Sequence, residues 1–421
     1  MPIEFNKITE QVYKMGSMIE QVDFDFDRHM QIALRRFASA GDVDAVRQRI
    51  QWVRQSDISG YRGAALLGDD DTPPNLIYPP PQASPQALVI AADGSQVYPS
   101  DQSAIHYYLI NIGLFMYYQG AAHLPEQITL PTLYFHKSHV HDRFGHLVSN
   151  RTVDARRTVA EMQAMSALAW ERRHSAPAGG IVALYDNSLM FTASADDVTD
   201  ADDLQKDYHA AMQHLYDIQA NGTRVTLAGY VDNPRGSVVL RLLHLLSLRD
   251  EAEIKFKQAE IERGGDLEGL RDRHLFHAVL SAGERSAVMV QNSPRNLDYK
   301  RRNPSQEIAF FYVKVGVGDH TAIARVDIPA WVAAEPAAVD DLHAVLLAQS
   351  AMQGRNPYPY ALTRADELAY VGGRDKAKLN ELINIELRRK GLAPALAAPK
   401  ARGKELARSE KTRYEVKGDL R

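Results

Sequence analysis

Three carboxylates stand where the residues around them ask for an explanation. Asp93 follows the apolar run "ALVIAA" and opens "DGSQVYPS"; Asp186 follows "GGIVALY". Glu161 lies in "VDARRTVAEMQAMSALAWERRH", on one helical stripe with Met165 and Leu168. Taken singly each has a plain reading. A strand closing on Asp-Gly is commonly a turn. A helical Glu is commonly solvated or paired, here with Arg157 one turn back, the less favourable order. Together they point to metal chemistry. Carboxylates gathered in a core lose hydration and repel one another, and a divalent cation removes that cost. Two such ions ~3.5–4 Å apart can activate a water and stabilise the leaving oxygen of a phosphodiester. In that reading Asp93 bridges two ions while Glu161 and Asp186 hold one each. The 421 residues contain no cysteine, which excludes thiol nucleophiles, disulfides, iron–sulfur clusters and Cys-type zinc sites. Oxygen ligands then favour Mn²⁺ or Mg²⁺.

Other constellations compete. "HKSHVHD" offers His136, His139, His141 and Asp142. Read as β-like, it puts His139 and His141 on one strand face as a possible metal pair, and the alternative function is a metallophosphohydrolase acting on nucleotides. "NLDYKRRNP" joins Lys300, Arg301 and Arg302 to Tyr299 as a phosphate-and-base contact on a loop; a merely solvated loop is the plainer reading. "DGSQV" lacks the hydroxyl, at Val97, that a DxSxS cation loop needs, and no GxxxxGK[ST] phosphate loop occurs.

The elements that must position these groups follow from periodicity. Residues 1–70 read as a helical extension, and 71–86 ("TPPNLIYPPPQASPQ") as a proline-rich extended connector. "ALVIAAD", "IHYYLINIGLFMYY" and "TLPTLYFHKSHVH" read as three successive strands. Helix, strand "GGIVALYD", helix "LQKDYHAAMQHLYDIQAN" and strand "TRVTLAGYV" come next, then a charged helical region to about 306, a late β pair and closing helices. The pattern predicts an α/β fold with a mixed sheet, antiparallel at its start and parallel later, flanked by helices. Residues 87–392 form the principal unit in this reading. Residues 393–421 carry eight Lys/Arg against four Asp/Glu and read as a basic flexible tail.

No run approaches the ~18 apolar residues of a membrane span, and "MPIEFNKITEQ" lacks a secretory pattern; the expected location is the cytoplasm, without membrane attachment. A formal net charge of −4 means that any grip on a phosphate backbone is local or supplied by a partner.

The order strand-Asp-Gly-Ser, helix-Glu, strand-Asp resembles the NurA nuclease family. "LAGYVDNPRGSVVLRLL" resembles that family's strand and Pro-Arg-Ser-type turn, with Gly236 before Ser237, and "GRNPYPYALTRADELAYV" resembles its Tyr-Pro motif. The resemblance implies a ribonuclease H-like core in a ring-shaped homodimer. It implies Mn²⁺-dependent digestion of DNA from 5′ to 3′, single-strand cutting, and work with a HerA-type hexameric ATPase in DNA end processing or defence. Carried over by position, Asp93, Glu161 and Asp186 are metal ligands, Tyr358 or Tyr360 lies beside the scissile phosphate, and Arg235 contacts backbone phosphate. Where the family often has a histidine after that tyrosine, this chain has Asp366, read as a helix N-terminal acid or else as a further ligand. A catalytically silent subunit that closes an ATPase ring is the remaining alternative.

Overall fold

The structure, a computed structural model, describes residues 5–55, 61–68, 71–101 and 105–392. The basic tail at 393–421 therefore lies outside the described residues. Helices α1 (Thr9–Ala38) and α2 (Val43–Gln55) lead into the two-residue strands β1 (Ala64–Ala65) and β2 (Ile77–Tyr78). Then comes a meander of β3 (Ala87–Val97), β4 (Tyr108–Gln119) and β5 (Glu126–Tyr134). Helix α3 (Lys137–Val140) precedes the alternation α4 (Asn150–Arg172), β6 (Ile181–Tyr185), α5 (Ala201–Ala220) and β7 (Val225–Asp232). The helical region holds α6 (Val238–Leu246), α7 (Glu251–Phe256), α8 (Gln258–Arg263) and α9 (Asp272–Val279). Short strands β8 (Arg285–Ser286) and β9 (Met289–Gln291) and helix α10 (Pro294–Arg302) complete it. The hairpin β10 (Ile308–Val317) and β11 (His320–Pro329) is followed by α11 (Ala330–Ala333), α12 (Pro336–Ala351), α13 (Tyr360–Ala369) and α14 (Gly373–Arg389).

The strands join one mixed sheet in which β5, β4, β3, β6 and β7 are successive neighbours. β3–β4 and β4–β5 are antiparallel, whereas β3–β6 and β6–β7 are parallel. This is the ribonuclease H-like order. The two parallel steps need crossovers, which α4 and α5 provide, and β6 is buried along its whole length, as expected for a strand covered on both faces. β11 pairs antiparallel with β7 and carries the sheet on through β10 to β9 and β1. No helix among the described residues is long and apolar enough to cross a membrane.

Three local expectations are corrected. "DGSQV" is not a turn: β3 continues through Val97 on β4 alone, so Asp93 sits inside the strand, at the point where its parallel partner β6 stops. "HKSHVH" is not strand. β5 ends at Tyr134, His136 caps the short helix α3, and His139 and His141 share no strand face. "NLDYKRRNP" is not a loop, because Ser293 accepts the Asn296 N–H and Pro294 starts the helix α10.

One buried carboxylate fixes how the chain leaves β7. Asp272, fully buried, accepts N–H bonds from Val238, Val239 and Leu240 at the start of α6, and the Tyr312 hydroxyl at 2.8 Å. Its own N–H donates to Gly236 O at 2.9 Å, which ties down the turn that carries Arg235. Asp272→Ala leaves four buried donors unmet, so the urea midpoint should fall by an amount equivalent to about 2–4 kcal/mol. An unchanged midpoint would show that these donors find other partners.

Candidate active site

Ala92 pairs with Tyr185 in the last step of the parallel β3–β6 ladder. Side chains alternate along a strand, so Asp93 and Asp186, each one residue further on, lie side by side on one face. Helix α13 covers that face closely. A methyl on Gly113, which pairs with Asp93, would stand 2.5 Å from Ala365 O and 2.6 Å from Ala369 N. Ser95 and Asn111 donate side-chain hydrogen bonds to Ala369 O at 2.6 and 2.8 Å. Asp366 of α13 lies beside Asp93, and the Tyr358 hydroxyl lies beside Asp186.

Glu161 arrives from the other side. A methyl on Gly94 would lie 2.5 Å from Glu161 Oε1, so the missing side chain lets α4 bring this carboxylate against the strand. Glu161, Met165 and Leu168 are all buried, as their stripe predicted. Arg157 Nε stands 3.4 Å from Glu161 Oε1, an ion pair without hydrogen-bond alignment, and Arg157 Nη1 donates to Gly94 O at 2.7 Å. The Tyr185 hydroxyl lies close to the Glu161 carboxylate. Oε1 is buried with no hydrogen-bond partner.

The crowding is visible in the acidities. Burial, then the charges of Asp186 and Asp366 against a Gly94 N–H, pushes Asp93 up to about 6. Burial pushes Glu161 up to about 8, with Arg157 opposing and Asp93 adding. Burial also raises Asp186, opposed by the Tyr358 hydrogen bond and reinforced by Asp366 and Asp232.

The model of the NurA domain family matches residues 87–371, well over half of the chain. The chain belongs to the NurA family. No curated protein matches it. Among solved structures, a crystal structure of NurA bound to dAMP and manganese is 11% identical, with 72% of this chain and 89% of that chain covered at a TM-score of 0.35. A further crystal structure of NurA is 10% identical, with 73% and 90% covered at a TM-score of 0.38.

Within this NurA domain the expected trio is brought to one strand position but from two faces: Asp93 and Asp186 beneath α13, Glu161 from α4 on the other side. Among the described residues no three His, Asp or Glu side chains are grouped as ready-made metal ligands. The donor set still fits a hard divalent cation. It is all oxygen, burial and mutual repulsion hold three of its carboxyl groups above their ordinary pKa, and one Glu161 oxygen accepts no hydrogen bond.

The remaining sequence candidates separate. Tyr358 is at the site, whereas Tyr360 packs edge-on against Phe115 and Tyr117. Asp366 is no N-terminal acid. It sits six residues into α13, where the dipole does not favour it, and contacts Asp93. Arg235 is exposed, with no ion-pair partner among the described residues. On α10, Tyr299 is buried and bonds to Leu189 O and Phe191 O at 3.1 Å, so it is no base contact. Lys300 pairs with Glu307 at 2.9 Å and Arg301 with Asp298 at 3.2 Å, while Arg302 is exposed. In the histidine cluster, Asp142 Oδ1 accepts the Phe144 and His146 N–H groups as a turn cap, and His106 Nδ1 lies 3.0 Å from His141 Nε2. Sequence reading missed Asp232 and Tyr185 outright. A glycine inside the bulky strand "LINIGLFMYY" was the available signal that a backbone approaches there.

A carboxyl group held above its ordinary value binds protons more tightly in the folded than in the unfolded chain, so stability falls as pH rises from the unfolded value to the folded one. For Asp93 that window is 3.8 to about 6, and for Glu161 it is 4.5 to about 8. Without divalent metal, Glu161→Gln should therefore gain thermal stability relative to wild type between pH 5 and 8. A constant difference in melting temperature across that range would refute the raised Glu161 value.

Proposed function

We propose that this NurA-family chain is a metal-dependent nuclease that hydrolyses DNA phosphodiesters. The observation that carries this is the juxtaposition of Asp93 and Asp186 just past the end of a parallel ladder, facing Asp366 and Tyr358, with the Glu161 oxygen that accepts no hydrogen bond behind Gly94. Family membership supports the same reading.

Asp93, Asp186 and Glu161 would hold Mn²⁺, or Mg²⁺ in its place. Bound there, a divalent cation supplies charge neutralisation for the phosphate and lowers the pKa of a coordinated water. The chain's own groups do the rest. Tyr358 orients Asp186 through its hydroxyl and stands beside the position of the phosphate. Asp366 lies beside Asp93 and adds its charge to the acidic cluster. Arg157 fixes the backbone at Gly94 and offsets the Glu161 charge. Arg235, free of acidic partners among the described residues, would contact backbone phosphate; Arg302 and the exposed Arg301 would add to this, since an exposed ion pair such as Arg301–Asp298 constrains little. The finer reading follows the family resemblance: 5′-to-3′ digestion with single-strand cutting, a homodimer, and a HerA-type hexameric ATPase that supplies the grip a chain of net charge −4 lacks.

Asp93→Asn should keep the wild-type fold by circular dichroism and lose Mn²⁺-dependent cleavage of end-labelled DNA by ~10³-fold or more, which is ~4 kcal/mol of barrier. Independently of activity, Mn²⁺ should raise the melting temperature of wild type at pH 8 and leave that of Asp93→Asn unchanged. Cleavage retained by the variant would remove Asp93 from the site. Wild type inert with every divalent ion would favour the silent ring-closing subunit.

A further inference from the structure

Next to Tyr358 the surface opens into a cavity of about 470 Å³, within the ~300–1,000 Å³ typical of ligand sites. Its lining carries charge of both signs. The exposed Asp232, whose charge acts on Asp186, lines it together with Tyr358. From α9 come the half-buried Arg273 and His274 and the exposed His277. Arg273 has no carboxylate partner among the described residues; it donates instead to Asn233 Oδ1. Asn233 is one of two non-glycine residues with positive φ among those described, at 48°, directly after β7. Such a conformation persists where the surroundings impose it, and here it turns an amide towards Arg273. Burial, then the neighbouring Arg273 and Arg271, hold the His274 ring below its ordinary pKa, so Arg273 is the permanent cation of the lining. Ile323 and Pro357 give the cavity an apolar wall.

We propose that this cavity is the subsite for the nucleotide adjoining the scissile phosphate, with a single-stranded DNA phosphate on Arg273 and His277 and the base against Ile323 and Pro357. The inference rests on the nuclease reading and adds to it a direction: the strand leaves the carboxylates past Tyr358 and over α9. The arrangement separates the two tasks of the site, since the carboxylates handle the bond that breaks while α9 holds the strand by its backbone.

The test is steady-state cleavage of a 5′-fluorescent oligodeoxythymidylate in Mn²⁺ at several salt concentrations, with wild type, Arg273→Gln/His277→Ala and Arg273→Lys, all checked for wild-type melting. The double variant should raise KM about tenfold with kcat within about twofold, and its dependence of log KM on log salt should be shallower by ~0.7 for each phosphate that it no longer neutralises. Arg273→Lys, which keeps the charge, should recover most of the affinity. Unchanged KM and salt slope alongside normal wild-type cleavage would overturn the subsite and leave the nuclease reading standing, as would a fall confined to kcat. If wild type cleaves nothing, fluorescence anisotropy with the same oligonucleotide decides. Weaker binding by the double variant alone keeps the subsite without the nuclease, and equal binding by all three proteins removes it.

Discussion

Two helices press on one pair of strands, and two glycines decide how close they come. Without side chains at Gly94 and Gly113, α4 and α13 approach opposite faces of the β3–β4 ladder to distances that a methyl group would block. The same closeness forces Glu161 and Asp366 against the strand that carries Asp93. Carboxylates so placed cannot all ionise cheaply, because each has lost water and sees its neighbours' charge. The raised pKa values of Asp93, Glu161 and Asp186 are the direct result, and Arg157, paired with Glu161, offsets them only in part. The site is thus under electrostatic load that a hard divalent cation would relieve.

That load has to be carried by something rigid. The segment leaving β6 after Asp186 is pinned by Asp327, fully buried, which accepts the Ser188 hydroxyl at 2.6 Å and the Leu189 N–H at 3.3 Å while pairing with Arg325 at 2.7 Å. Arg325 in turn lies 4.2 Å from the Phe310 ring centroid. Tyr299 of α10 bonds to the same segment at Leu189 and Phe191. Asp272 plays the equivalent part after β7. Buried charges of this kind are costly to desolvate and contribute little net stability. What they do here is hold the two loops that follow the parallel strands in one conformation, and those loops flank the acidic residues.

The N-terminal helices join this framework through side chains remote in sequence. Arg36 of α1 makes two bonds to Asp266, at 2.6 and 2.5 Å, and Asp266 also meets the buried His244 at 3.1 Å. Phe26 of α1 stands edge-on to His274 on α9, 5.1 Å between centroids. The face of α9 that lines the cavity beside Tyr358 is therefore backed by residues from the first tenth of the chain.

The sequence alone settled the alternation of elements, and it did so wherever burial pattern and period agree. The apolar runs of β3, β4 and β6, the stripe holding Glu161, Met165 and Leu168, and the order of acidic residues along the chain are properties of neighbours in sequence, so periodicity reveals them. It could not decide that Asp-Gly-Ser stays extended, because β4 supplies the pairing that a turn reading assumes is missing. Nor could it show that Asp93 and Glu161 face opposite sides of a strand, since that depends on which helix lands on which face. Asp366 and Asp232 join the site through contacts between segments up to 273 residues apart in numbering from Asp93. Only packing brings such groups together, because no local signal encodes the distance between two faces of a sheet.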